Sequence, residues 1–235
     1  MTGRTLSRLH IGLVLILLAL CGCGDEEATQ RKAFIEFLQT RIVGKPGIHV
    51  PHLTAEETAA FGPYAKHYAV IADFNAALDD AVSKPMQQAI QNGTPHSLGE
   101  VVARRQDIAA VGEGMAKMQA ALDRELAKAD AAHAALKQPD DLKPVYDAAY
   151  ARDVTVPAKA WSEVFPDVED GMKNMLALAD FVAAHQNAVK IQGAMIQTSD
   201  PSLQPALTGM LDKIREKGEA VNKAQQRLNA LIVGG

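Results

Sequence analysis

Residues 98–136 read LGEVVARRQDIAAVGEGMAKMQAALDRELAKADAAHAAL, and apolar or small side chains recur in them at Val101, Ile108, Val111, Met115, Met118, Leu122, Leu126, Ala129 and Leu136. The intervals are three, four or seven, so these residues form one stripe along a helix. Ser97 followed by Glu100 is a capping-box pattern that opens it, and Pro139 closes it. At 1.5 Å per residue the element is about 60 Å long, a spine against which other helices can lie.

The flanking segments carry the same punctuation. Thr54 with Glu57 is a second capping box, opening a helical region that is interrupted at Gly62-Pro63, kinked or restarted near Pro85, and ended at Asn92-Gly93. Asp141 ahead of Pro144 fits an N-cap with proline in the first turn. Met172, Met175, Leu176, Ala179, Val182, Val189 and Ile196 predict a helix from 172 to 196. Leu203, Leu207, Met210, Leu211, Ile214, Val221, Leu228 and Leu231 predict a last helix entered through Asp200-Pro201 or Ser202. No alternating strand pattern stands out. Aromatic residues make up only 5% of the chain, and alanine is abundant, which suits thin, closely packed helices. The fold class expected is all-α: an elongated antiparallel helical bundle with long helices and short loops.

The first two dozen residues differ in kind. Arg4 and Arg8 precede the uncharged run Ile11–Leu20, which falls short of the ~20 residues a membrane-spanning helix needs and fits the apolar region of a signal peptide. Leu20-Cys21-Gly22-Cys23 then places a branched apolar residue three positions before Cys23 and a small residue, Gly22, immediately before it, as a lipobox does. The expectation is cleavage between Gly22 and Cys23, acylation of Cys23, and two parts: a leader at 1–22 and one all-α periplasmic domain at 23–235. Each buried acyl methylene contributes about 0.8 kcal/mol, so two or three chains hold the protein on a membrane without a spanning helix. Gly24, rather than aspartate, follows Cys23, which directs the protein to the inner leaflet of the outer membrane; the inner membrane's periplasmic face is the alternative. Helical periodicity is under way by Gln30, leaving no room for a long stalk.

Lys and Arg number 24 against 28 Asp and Glu, and removing Arg4 and Arg8 takes the formal net charge from −4 to −6. No dense basic run is present, so the chain lacks the basic stripe of a nucleic-acid binder. Both cysteines lie at or before the cleavage site, so stability is expected to come from the apolar core rather than from disulfides.

Several segments also resemble a known family. Gln30–Gln39 (QRKAFIEFLQ), Leu53-Thr54-Ala55 with Phe61-Gly62-Pro63, Ala129–Gln138 (ADAAHAALKQ) and Asp140–Val145 (DDLKPV) are similar to the YiaF-type lipoproteins of Gram-negative bacteria. The resemblance covers the lipobox region and the first two-thirds of the chain, to about Tyr150. It implies a lipid-anchored, periplasm-facing protein and transfers no catalytic residue.

His49-Val50-Pro51-His52 offers two imidazoles, whereas a zinc site takes three or four protein ligands; two exposed loop histidines are expected, with no metal and no cofactor. Asp130 and His133 lie one helical turn apart, with Asp140, Asp141, Tyr146 and Tyr150 just beyond. This cluster lacks a nucleophile in an elbow context, and a structural role is expected, Asp141 capping the next helix and His133 packing in the stripe. Asp79-Asp80 and the Glu163, Asp167, Glu169, Asp170 group read as solvated helix faces. Met115, Met118, Met172, Met175, Met195 and Met210 read mainly as core, or else as the lining of an apolar groove. The functional expectation is a non-enzymatic envelope component that contacts a membrane through its anchor and an unidentified envelope protein through its body. The alternative is a helical binding module for an apolar ligand or lipid.

Overall fold

The computed structural model describes residues 25–91, 97–192 and 195–234. The leader, the Gly22/Cys23 cleavage site and the Asn92-Gly93 stop lie outside the described residues.

The all-α expectation is borne out: long helices joined by short loops dominate the chain. Helix α1 spans 25–37 and runs on through a wider, π-type turn at Leu38–Val43. Phe34, Phe37, Leu38 and Ile42 fall on its buried face. Helix α2 (Ala55–Phe61) opens with the expected capping box at Thr54 and Glu57. A 3-10 turn at Gly62–Tyr64 marks the predicted interruption. Helix α3 (Ala65–Leu78) follows, then a π-type turn at Asp79–Ser83 and α4 (Lys84–Gln91). The disturbance foreseen near Pro85 is thus a widened turn just before it. A proline ring crowds the carbonyl four residues back and offers it no N–H, and a wider turn relieves that conflict. The same offset recurs where α7 (Lys143–Tyr150) passes through a π-type turn at Ala151–Thr155 into α8 (Val156–Ala184), with Pro157 two residues beyond the turn.

The spine is in two pieces. Ser97 does accept the Glu100 N–H, but α5 (Leu98–Ala103) ends at Arg104, whose φ of −103° and ψ of 25° leave the helical region, and α6 runs Arg105–Ala135. Side-chain periodicity carries across this break because only one residue departs. Val111 stands partly exposed, while Ile108, Met115, Met118, Leu122 and Ala129 are buried.

The structure departs from the sequence pattern at two further points. The helix expected to reach Ile196 stops at Ala184, and Val189–Gln192 (β1) pairs antiparallel with Met195–Thr198 (β2) in the register Val189↔Thr198, Ile191↔Ile196. Val189 and Ile196 lie seven apart, as on one helical stripe, while Val189 and Ile191 lie two apart, as on one strand face, and the first spacing concealed the hairpin. Secondly, Asp141 does not cap α7: the helix has Leu142 at its N-cap with no side-chain bond. The Pro139 carbonyl takes the Leu142 and Lys143 N–H groups at 3.1 and 3.0 Å, so the turn leads straight into the helix. Asp141 instead pairs with Arg31, Oδ2 to Nε at 3.1 Å.

Asp200 accepts the Ser202 N–H and starts a 3-10 turn leading into α9 (Gln204–Val233), as expected. Arg105 pairs with Asp180 at one end of the α6–α8 contact, and a Cβ on Gly112 would meet Met172 further along, so α6 and α8 run antiparallel. Lys217 bridges Asp167 and Asp170 at 2.9 and 3.0 Å, tying α9 to α8, while Leu178 and Leu207 share a cluster near the other end. The main core gathers α1, α3, α6, α7 and α8 as far as Ala179. A smaller cluster of Leu178, Val182, Val189 and Leu207 sits where α8, the hairpin and α9 meet, and Val102 touches both. Among the described residues no helix is long and apolar enough to cross a membrane.

Candidate functional site

The turn between α6 and α7 brings most of the sequence-predicted cluster together, with partners the sequence did not indicate. His133, in the last turn of α6, lies with Nε2 2.8 Å from Asp147 Oδ1 on α7. Lys143 Nζ donates to the other carboxylate oxygen at 2.7 Å. Burial works against ionised Asp147, but the Lys143 and His133 bonds outweigh it and hold the carboxyl below its usual range. The imidazole packs on Tyr150 with centroids 4.1 Å apart and on Tyr146 at 5.4 Å. The Tyr150 hydroxyl donates to Asp130 Oδ1 at 2.7 Å, and the Tyr146 hydroxyl donates to the His67 carbonyl at 2.7 Å. Burial raises both phenols, and for Tyr150 the Asp130 carboxylate adds to the effect.

Asp130 therefore orients Tyr150, not His133, and Asp147 is the carboxylate that holds the imidazole. The spacing of three between Asp130 and His133 was suggestive, but the pairing is made across the helix–helix turn, which sequence separation does not reveal. Asp140 and Asp141 are exposed on that turn. Each polar head in the cluster is engaged by a neighbour: His133 by Asp147, Asp147 by Lys143, Tyr150 by Asp130 and Tyr146 by a backbone carbonyl. These bonds tie α7 to α6 and to α3.

A second constellation was not anticipated. Asp153, in the π-type turn between α7 and α8, is the one charged side chain among the described residues that is fully buried. Its Oδ1 accepts the His49 backbone N–H at 3.4 Å, while Oδ2 is buried with no hydrogen-bond partner. Burial pushes the carboxyl up to about 7, against smaller opposing effects from the His49 N–H and Arg152. Pro157 offers no N–H to the Asp153 carbonyl four residues back, and Asn75 Nδ2 on α3 donates to that carbonyl at 2.9 Å. Arg152 donates through Nε to the Gly47 carbonyl at 3.0 Å and also to the Lys45 carbonyl. The Tyr68 hydroxyl donates to the Pro51 carbonyl at 2.7 Å, and Ile48 N–H donates to the Ile232 carbonyl at the end of α9 at 3.3 Å. The His49 and His52 side chains are exposed, as expected. The signal for Asp153 was in the sequence: an aspartate between Tyr150 and Val154 on a stripe that continues to Ala158, ahead of an in-helix proline.

Met115, Met118 and Met172 are buried in the main core with Met175 packed against it, so these side chains fill the bundle. Glu163 is exposed, and Asp167, Glu169 and Asp170 are partly buried; Lys217 and Lys173 pair with the latter three. Among the described residues no group of three or more His, Cys, Asp or Glu is placed to hold a metal ion.

The model of a family described as "Protein of unknown function (DUF3053)" matches residues 11–229, and the chain belongs to that family. It is 28% identical over 226 residues to proteins from Escherichia coli strain K12 and from Shigella flexneri, each called "Uncharacterized protein YiaF", with 95% of both chains covered. The similarity thus extends well past Tyr150, through α8, the hairpin and most of α9. No solved structure matches.

Proposed function

We propose that this protein is a lipid-anchored component of the bacterial envelope, acylated at Cys23 and facing the periplasm from the inner leaflet of the outer membrane, whose helical body acts by contact with an envelope partner rather than by catalysis. The observation that carries the reading is the lipobox Leu20-Cys21-Gly22-Cys23 set directly against a helical domain, since α1 is already helical at Asp25. A body that is helical two positions after the anchoring residue, with only Gly24 between, rests on the bilayer instead of hanging from a stalk. The family match begins at Ile11 and so takes in the apolar run and the cysteine. The engagement of His133 with Asp147, and of Asp147 with Lys143, supports a structural, non-catalytic body.

Metabolic labelling with an acyl-chain analogue tests the anchor. Wild type and Cys21→Ala are expected to take up label and Cys23→Ala to lose it; label retained by Cys23→Ala overturns the assignment. On a sucrose gradient the labelled protein is expected with outer-membrane markers, and recovery with inner-membrane markers rejects that location. Cross-linking in intact cells, followed by purification of the acylated protein, identifies what the body touches.

A further inference from the structure

We propose that residues 44–53 form a strap latched over Asp153, closed while that carboxyl carries its proton and released when it ionises. This inference does not depend on the lipid anchor. The strap leaves α1 at Gly44 and reaches α2 at Thr54, and its ties converge on one small region. The Arg152 guanidinium holds its first half through the Lys45 and Gly47 carbonyls. The Asp153 carboxyl holds its centre through the His49 N–H, and Tyr68 holds the Pro51 carbonyl. Ile48 N–H ties it to the carboxyl end of α9. Val50 and Leu53 pack against the core from the strap's inner side.

The geometry makes Asp153 the sensitive tie. Its Oδ2 has no partner and no solvent contact, a position suited to a neutral carboxyl and costly for a charged one. The ionisable groups around it offer little help to the anion. Arg152 spends its guanidinium on the strap carbonyls, and Tyr68 faces the carboxyl from α3 as a neutral phenol, its own ionisation disfavoured by burial and by Asp153. His49 contributes only its backbone N–H, since its side chain is exposed. On the neighbouring turn of α1, Arg41 is paired with Glu57 at 3.6 Å. Ionised Asp153 gains solvation only if the strap lifts and admits water. Lifting would release the α9 terminus and bare the region already carrying exposed Val43, Val156 and Ile232. The raised affinity of Asp153 for its proton, described above, places the change near neutrality.

The test is amide hydrogen exchange of the full chain in detergent micelles at about pH 6 and about pH 8.5, corrected for intrinsic base catalysis, which reports local opening directly. In wild type, exchange across 45–53 is expected to rise roughly tenfold between the two, with 172–184 of α8 unchanged. Asp153→Asn is expected to hold the strap at one level at both pH values, and His49→Gln to keep the wild-type rise. Absence of the rise in wild type, or an equal rise in Asp153→Asn, overturns the proposal. Should Asp153→Asn fail to fold, carbon-13 titration of the Asp153 carboxyl in wild type decides the question. One shared midpoint for titration and strap exchange is expected; clearly separate midpoints overturn the latch.

Discussion

Asp153 and Asp141 are both aspartates beside helix starts or turns, yet their surroundings give them opposite energetic weight. Asp153 binds its proton up to about pH 7 when folded, against an ordinary value of 3.8. Between those limits the folded chain holds a proton that the unfolded chain has released, so stability falls as pH rises from about 4 to about 7 and then levels off. The stability of wild type is expected to decline across that window by an amount on the order of a few kcal/mol at most, read as a falling thermal midpoint. Asp153→Asn is expected to show a weaker decline, and identical slopes refute the assignment. Asp141 was expected from sequence to be a helix cap, whose loss costs about 0.5–2 kcal/mol. As an exposed partner of Arg31 it is expected to cost less, within about 1 kcal/mol in Asp141→Ala. Tyr146→Ala, emptying a fully buried position, is expected to cost about 3–5 kcal/mol. Denaturant midpoints of the two variants check the ranking. His133 was legible as a packed histidine because Ala129 and Leu136 flank it on one stripe. Its partner Asp147 was not, because fourteen residues and a turn separate them.

Helix α8 carries Pro166 in its interior. Proline there removes the N–H that would reach the Ser162 carbonyl and disfavours the helix by up to about 3 kcal/mol relative to alanine. Pro166 is exposed, so no packing is lost on replacement, and Pro166→Ala is expected to raise the thermal midpoint; a lower midpoint would mean that the helix needs the bend. The in-helix prolines also explain what was readable at this level. Caps and breaks that depend on local chemistry, such as Thr54 with Glu57, Gly62-Pro63 and Asp200-Pro201, stood in the sequence as they do in the structure. A kink or restart was legible near Pro85, but the widened form of the turns before Pro85 and Pro157 was not, because the periodicity of the flanking stripes absorbs one extra residue without losing its face. The hairpin was missed for a related reason: the seven-residue step from Val189 to Ile196 fits a helical stripe, and only the run Val189-Lys190-Ile191-Gln192, alternating apolar and polar ahead of Gly193, favours the strand.

Taken as one body, the molecule has a thick core at the joint of α1, α3, α6 and α7 and a thin extension where α9 lies along α8. Only Leu207 and Leu228 of α9 are buried. Leu207 belongs to the smaller cluster, separate from the main core. Leu207→Ala is expected to cost about 2–5 kcal/mol and to loosen α9 alone. Exchange in 204–233 should rise while that of 115–129 stays at the wild-type level, and an even rise across both would show a single cooperative unit. The two ends of α9 differ in kind, because its carboxyl end closes on the strap. Gly234 has φ of +80° and Gly47 of +71°, and a Cβ on either would run into the other segment's backbone. Anyone fusing a fluorescent protein, an affinity tag or a degron after Gly234 is therefore inserting cargo at a seam rather than at a loose tail. A reporter attached there would read, and disturb, the closure of the strap, while insertions on the exposed turn at Asp140-Asp141 would leave that seam intact.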